Sequence, residues 1–534
     1  MGKDNNQEVC LEMESGVGSL SRVVPINVIL NNDDKETRGD TNTYIQTPNI
    51  HDDASSFADP PSGRSSEPLP DDWLPITQSR TGNSFTAAMH LLCSGLGLQS
   101  LLLPVAFLSL GWVWGSVCLG VMFGWQLYTT WILVHLHQPQ PCSKQMTASP
   151  RYSRFLVLSI VAFGPKLGKL LAVFPTMYLS GGTCVLFIIT GGGIMELLSQ
   201  LLLSEHHHDS SSSPITGAEW FLIFMCIAIL VSQFFPTLDS LASVSLVGSV
   251  SAVICFSSLW IVSITTTNHQ PLLAPSSPEI LKYKSIRGII DALGMIALTF
   301  RGHNLILEIQ GTMPTSQQRP ARNRMWKGVT ASTVGVGLCI FPLAIGGHLA
   351  FGTTPMGATT TNGGILDALT SQLLSSHNHK TSSKHKWILA TIYLTLLLHL
   401  ICAFQLYAIP AFDNLERVIY VSRKNKACPR WVRSAIRLFY GGLTYFIAVA
   451  LPFIGSLGPF FGAISLPLTF AYPCFMWIAI EKRKKSSHGW KWMMIIIINL
   501  GVGCLGIGLS LMLGAAALWN LVDYGLDANF FKPR

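Results

Sequence analysis

The sequence predicts an all-α integral membrane protein with eleven spanning helices. Three observations predict it. Of the 534 residues, 49% are hydrophobic and only 12% are charged, about half the ~25% charge of soluble proteins. The apolar residues gather in runs that match the ~20 residues needed to cross a bilayer. The Lys and Arg residues between those runs crowd onto one side. This composition argues against a soluble enzyme, a disordered scaffold and a nucleic-acid binder. The net charge of +8 would suit a polyanion partner only if it were clustered, and its distribution shows otherwise.

Residues 1–80 hold 6 Lys/Arg against 14 Asp/Glu, and residues 81–534 hold 30 against 14. The first segment is rich in Ser, Pro, Asp and Asn, so it is expected to be a disordered acidic tail. Its apolar stretch from Val23 to Leu30 is too short for a secretory signal, so the tail is expected in the cytoplasm. The second segment is expected to be the membrane domain. Its spans are expected near 84–109, 112–136, 170–196, 218–237, 240–265, 286–309, 328–351, 387–411, 433–454, 458–480 and 492–518. The tenth contains Pro467 and Pro473, which membrane helices tolerate when neighbours satisfy the freed carbonyls.

With the tail inside, the inner loops carry 21 Lys/Arg and the outer loops 8. Because cytoplasmic loops retain positive charge, this direction is preferred, and an odd number of spans places the C-terminus outside. Of 12 cysteines, nine fall in spans, and Cys10, Cys142 and Cys428 fall on the inner side, so no extracellular disulfide is expected. There is no CxxC pair, and the run His206-His207-His208 reads as a solvated polar loop. No metal site or organic cofactor is expected.

Two spans lose helical character near mid-depth. The first reads Cys93-Ser94-Gly95-Leu96-Gly97-Leu98-Gln99, and the sixth reads Thr299-Phe300-Arg301-Gly302-His303-Asn304. Irregular backbone at membrane depth must line a cavity or be covered by protein, and glycine permits it. Breaks in the first and sixth spans are where a five-plus-five inverted repeat places its broken helices, with an eleventh helix outside the repeat. The alternative is that Ser94 to Gly97 is a close helix–helix contact of small residues.

The sixth span also carries Asp291, Arg301, His303 and Glu308. A charge at mid-membrane costs at least ~2.5 kcal/mol, so these groups must face a wet cavity or a partner. An internal ion pair is one reading, and a binding site is the other. For a site, the unpaired N–H groups at a half-helix start suit a carboxylate and unwound carbonyls suit an ammonium. A zwitterionic amino acid brings both. Tyr178, ahead of Ser180-Gly181-Gly182-Thr183, could close the cavity from the third span. His90, His348 and His399 read as satisfied structural histidines. Trp112, Trp131 and Trp490 read as interface anchors.

Several blocks resemble the plant amino acid/auxin permease family, specifically its lysine/histidine transporter-like branch. They are Leu102-Leu103-Pro104-Val105-Ala106-Phe107 with Gly111-Trp112, Trp125-Gln126-Leu127-Tyr128-Thr129, and Phe300-Arg301-Gly302-His303-Asn304-Leu305-Ile306-Leu307-Glu308-Ile309-Gln310. Met325-Trp326-Lys327-Gly328, Pro410-Ala411-Phe412-Asp413 and Phe470-Ala471-Tyr472-Pro473-Cys474-Phe475-Met476-Trp477 add to them. The resemblance runs from Asp72 to Pro533 and leaves out most of the tail. It implies a leucine-transporter-type fold of eleven helices and proton-driven amino acid uptake at the plasma membrane. It also implies a substrate site lined by Ser94–Gly97 and Phe300–His303. Arg301 departs from the family pattern, which has a small residue before Gly302-His303.

Substrate contacts are therefore expected at Ser94, Gly95, Leu96, Gly97, Tyr178, Phe300, Arg301, Gly302, His303 and Asn304. His303 and Glu308 are the candidates for proton coupling, since both titrate. The partners expected are a small amino acid and the lipid bilayer, with no nucleic acid. A second reading is a transporter-like amino acid receptor with little transport and the acidic tail as its signalling arm. The sequence shows no nucleophile elbow or phosphate loop, so an enzyme is not expected.

Overall fold

Asn83 starts the first helix, α1 (Ser84–Gly95). Its side chain accepts from the Thr86 N–H at 2.9 Å, and the Thr86 hydroxyl accepts from the Asn83 N–H at 3.0 Å, so two helix-terminal donors are satisfied reciprocally. A 3-10 turn over Leu98–Leu102 leads into α2 (Leu103–Leu136). Inside α2, Gly111 adopts φ 74 and ψ 164, a region that L side chains avoid and glycine enters freely. No atom stands within 4 Å of where its Cβ would be, so the requirement is conformational and not spatial. This corner separates the first two expected spans.

The computed structural model describes residues 74–138, 151–203, 215–266, 285–300, 305–316, 320–351, 364–374, 379–424, 426–452, 458–483, 489–524 and 530–531. Nearly all of the expected tail, and the His206–His208 run, lie outside the described residues.

After α2 comes a nine-residue helix that the sequence reading did not separate, α3 (Phe155–Phe163), closed by Gly164 at φ 88. Then follow α4 (Pro165–Met177), a π turn over Tyr178–Gly182, and α5 (Thr183–Leu203). A Thr216–Glu219 capping box opens α6 (Gly217–Phe234), and α7 (Ala242–Thr266) follows. The sixth expected span is divided into α8 (Ile286–Thr299) and α9 (Ile306–Gly311). Next are α10 (Ala321–Phe351), a second short helix not foreseen, α11 (Ile365–Leu374), and α12 (His379–Glu416). The chain closes with α13 (Arg430–Ala450), α14 (Gly458–Phe470), α15 (Tyr472–Glu481) and α16 (Trp490–Tyr524). The tenth expected span thus splits at Ala471, whose N–H donates to Pro467 O at 2.9 Å.

Among the described residues, 8 helical runs are long and apolar enough to cross a membrane. The intervals expected at 84–109 and 286–309 are interrupted, and that at 433–454 is α13, with Arg433 and Arg437 near its start. Large apolar side chains point outward from α16 (Ile497, Leu505, Leu511, Trp519) and α13 (Trp431, Phe439, Phe446). Outward-facing apolar surface on this scale belongs against lipid.

Inside the bundle, α7 packs against α1, α10 and α12. Lipid tails are as apolar as leucine, so such contacts depend on small residues that let backbones approach. At Gly248 of α7, a Cβ would lie 2.6 Å from Cys93 Sγ of α1 and 2.6 Å from Cys402 Cβ of α12. At the far end of the bundle, Arg287 of α8 binds Asn520 and Asp523 of α16, and Asn520 Nδ2 donates to Asp291 Oδ1 at 2.8 Å.

Candidate functional site

The first break lies where the sequence placed it. Helix α1 ends at Gly95; Leu96 turns to φ −90, ψ 80, and Gly97 is extended before the 3-10 turn begins. A helix that stops inside a bundle leaves carbonyls without their i+4 donors, and those donors come here from α12. Tyr407 Oη donates to Ser94 O at 2.9 Å, and His399 Nε2 lies 2.7 Å from Leu96 O. The Leu96 N–H still donates to Leu92 O at 3.3 Å. The head of the Leu98–Leu102 turn has no side-chain cap. Of the two residues Leu96 and Gly97, the first therefore has its N–H engaged within α1.

Helix α1 is also pinned from α7. His90 Nδ1 lies 2.6 Å from Ser245 Oγ, and Ser249 Oγ donates to Met89 O at 2.8 Å. Ser94 turns its hydroxyl onto His90 O at 2.9 Å, so it serves the helix end as well as the break. A cavity of about 50 Å³ adjoins Ser94 and Gly95, with Gln126, Thr130, Ser332 and Thr333 as its polar lining. A separate recess of about 310 Å³ lies between α2 and α16, with Val121, Trp125 and Leu505 in its walls. That recess faces lipid and lacks the charged partners a zwitterion needs.

At the second break, Phe300 ends α8 and is buried, its ring 5.7 Å from Phe123, which in turn meets Phe341 at 5.8 Å. Phe300 thus packs against α2 as a core residue. Arg301, Gly302, His303 and Asn304 lie outside the described residues, and so does any pairing of Arg301 with Glu308. Tyr178 sits in the π turn that packs against α12. From α5, Phe187 meets Tyr407 edge-on at 5.7 Å, which links the third span to the residue that holds Ser94.

Among the described residues, Glu308 makes no hydrogen bond to the first break. It is buried in α9, with Oε1 3.4 Å from the Phe155 N–H at the start of α3 and Oε2 without a partner among the described residues. Next to Phe155, Arg154 pairs with Asp413 of α12. Gln310 Nε2 donates to Val134 O at 3.1 Å, and Arg151 Nη2 donates to Met313 O at 2.8 Å. Burial, then the neighbouring Arg80 cation, lowers the Arg151 guanidinium to about 10. The geometry joins Glu308 to a clamp on the C-terminal half of the sixth span. His399 and Tyr407 are what the sequence reading missed as members of the first break. Their only signal was an imidazole and a phenol in a run whose one other polar side chain between them is Gln405.

Residues 80–514 match the family model described as "Transmembrane amino acid transporter protein". The chain belongs to that family of integral membrane proteins, within its lysine/histidine transporter-like branch. It is 42% identical over 468 residues to Lysine histidine transporter-like 8 of Arabidopsis thaliana, covering 87% of this chain and 83% of that one. It is 39% identical over 464 residues to Lysine histidine transporter-like 7 of the same plant, covering 87% and 90%. Among solved structures it is similar to MhsT, crystallised in complex with L-phenylalanine, with a TM-score of 0.53 at 12% identity, over 82% of this chain and 99% of that one. That likeness is one of fold.

Proposed function

We propose that this chain is a proton-coupled amino acid symporter that takes up its substrate by alternating access. The observation that carries most weight is the stop of α1 at Gly95, with its freed carbonyls held by α12 and an uncapped run of backbone beginning at Gly97. The substrate carboxylate binds N–H groups from Gly97 onward, and its ammonium binds carbonyls of the Ser94–Gly97 and Phe300–Asn304 segments. Tyr178 closes the cavity from the π turn. Proton and substrate together favour occlusion, and the halves then rock to open inward.

The architecture in this reading is a five-plus-five inverted repeat, with α1 and the α8–α9 pair as the broken helices and α16 as the eleventh helix outside the repeat. Residues 1–80 form a disordered acidic tail in the cytoplasm, the C-terminus is extracellular, and the membrane is the plasma membrane. Support comes from the family, from relatives whose names are those of amino acid transporters, and from the inner charge bias of the loops. Arg301, by its charge, would repel a cationic substrate side chain, attract an acidic one, or stand in for a coupling ion.

The test is uptake by the purified full chain in sealed proteoliposomes, using a panel of tritiated amino acids under an imposed pH gradient, acid outside. Accumulation that a protonophore abolishes is the expected result. Binding without accumulation would instead point to a receptor. In the same panel, Arg301→Ala should change acidic and neutral substrates unequally, and an equal response removes Arg301 from side-chain recognition.

A further inference from the structure

We infer that the third span reads the substrate side chain through the hydroxyls of Thr176, Ser180 and Thr183, and that it selects amino acids with a neutral, hydrogen-bonding side chain, an amide or a hydroxyl. The inference rests on the transport reading above and names the substrate class that reading leaves open. The three residues stand close together across the π turn that joins α4 to α5. They are 6%, 1% and 6% exposed, and none of their hydroxyl oxygens has a partner among the described residues. The outward side of the same stretch carries Leu170, Val173 and Met177, so the hydroxyls are turned away from lipid.

Hydroxyls in other spans find a partner in their own helix. Ser263 of α7, Thr299 of α8, Thr330 of α10 and Thr395 of α12 each donate to the carbonyl four residues back, the usual resort of such a group in an apolar helix. The three in the third span do not, and they stand where that helix is irregular. Pro175 lacks an N–H, and the ladder widens from Tyr178 to Gly182. A π turn of this kind often marks a functional site. The packed neighbour adds a fourth such group. Helix α14 lies against α4 and the π turn, and it carries Thr469, fully buried and also without a partner among the described residues. Leaving buried hydroxyls unsatisfied is costly to a fold, and a cluster of them is explained when a ligand supplies the missing partners.

The stretch is joined to the first break. Just past Thr183, Phe187 meets Tyr407, whose hydroxyl holds Ser94 O. An amino acid held at the break by its carboxylate and ammonium turns its side chain to the third span. A hydroxyl both donates and accepts, so a group of them suits a side chain that does the same. The charge pattern narrows the class further. No Asp, Glu, Lys or Arg lies between Lys169 and Glu196, so a charged side chain would find hydroxyls there and no counter-ion on the same span. A site that hydrogen-bonds its substrate also rejects the isostere lacking the group, because its own polar atoms are then left unpaired.

The test uses the full chain in proteoliposomes, with the tritiated amino acid that wild type accumulates most in the panel above. Unlabelled isosteres compete: threonine against valine, asparagine against leucine, and aspartate against asparagine. In wild type, threonine and asparagine should compete better than their apolar isosteres by about two- to tenfold, the worth of one hydrogen bond, and asparagine better than aspartate. Thr176→Val and Thr183→Val keep the shape and remove the hydroxyl, and Ser180→Ala removes the third. At least one of these should bring the polar-to-apolar ratio to about one by weakening the polar competitor alone. Thr176→Ser or Thr183→Ser should keep the wild-type ratio. A purely structural role would instead move both members of a pair alike. If wild type shows no preference within the first two pairs, or prefers aspartate, or if all three variants keep its ratios, the inference is overturned while transport stands. If wild type accumulates no amino acid, the transport reading fails first and the inference with it. Should the valine variants not reconstitute, Ser180→Ala, the mildest change, decides.

Discussion

The guanidinium of Arg154 and the carboxylate of Asp413 meet in a buried pair, with Nε to Oδ2 at 2.5 Å and Nη2 to Oδ1 at 3.3 Å. The two side chains are 4% and 1% exposed. The pair fastens the start of α3 to α12, and the next residue, Phe155, reaches Glu308 on α9. Asp413→Asn should lower stability by about 3–5 kcal/mol, the cost of leaving one buried partner uncompensated. Thermal unfolding of the detergent-solubilised protein measures it. If the clamp also closes the inner side, steady accumulation should fall more than initial binding does. Equal losses would make the pair purely structural.

His137, just past α2, should set an acid limit on stability. It is fully buried, and neither ring nitrogen has a partner among the described residues. Burial first, then the Arg151 and Arg80 cations, push its imidazole down to about 3. The folded state therefore holds this ring neutral while the unfolded chain, near 6.5, takes the proton. Stability is full above pH ~6.5 and is lost as pH falls from there toward 3, by up to about 1.4 kcal/mol per unit. His137→Phe should flatten the fall in melting temperature between pH 7 and 5. An unchanged slope in the variant would assign the acid limit to other groups.

Gly248→Ala should destabilise by about 1–3 kcal/mol, because its methyl has no room and overpacking strains the neighbours. The added Cβ would meet Cys93 Sγ and Cys402 Cβ, both at 2.6 Å. Cys93→Ala removes the first obstacle and leaves the second. The double variant should therefore recover part of the lost melting temperature, and full recovery would show that Cys402 yields.

Tyr407→Phe removes the donor to Ser94 O and keeps the ring against Phe187. A hydrogen bond of this kind contributes about 0.5–1.5 kcal/mol. Because the carbonyl belongs to the break, the loss should appear as a several-fold weaker apparent substrate affinity, with a smaller change in melting temperature. Unaltered uptake kinetics would separate Ser94 O from the transport cycle.

The first break was legible because it is written locally: Ser94, Gly95 and Gly97 stand together in an apolar run, and the helix ends there. The long apolar intervals were legible for the same reason. Tertiary pairing was not. His399 and Leu96 are 303 residues apart, and Arg154 and Asp413 are 259 apart, so no periodicity announces either contact. Glu308 looked like a site residue because a carboxylate at that depth is unusual. Its neighbour proves to be the N–H of Phe155 at the head of α3, a helix too short to register as a span. Phe300, expected at the substrate, is buried with its ring 5.7 Å from Phe123, because a phenyl side chain beside a break can fill the bundle as readily as line a cavity.

The knot of Arg287, Asp291, Asn520 and Asp523 gives the last helix a second use. Asn520 holds Arg287 and Asp291 together, so the C-terminal end of α16 is fastened to the N-terminal half of the sixth span. A displacement of α8 would then act on α16 through Asn520 and Asp523. A fluorophore placed at that end, with its partner on α6, would turn the protein into its own reporter of turnover, read by resonance energy transfer without touching the binding cavity.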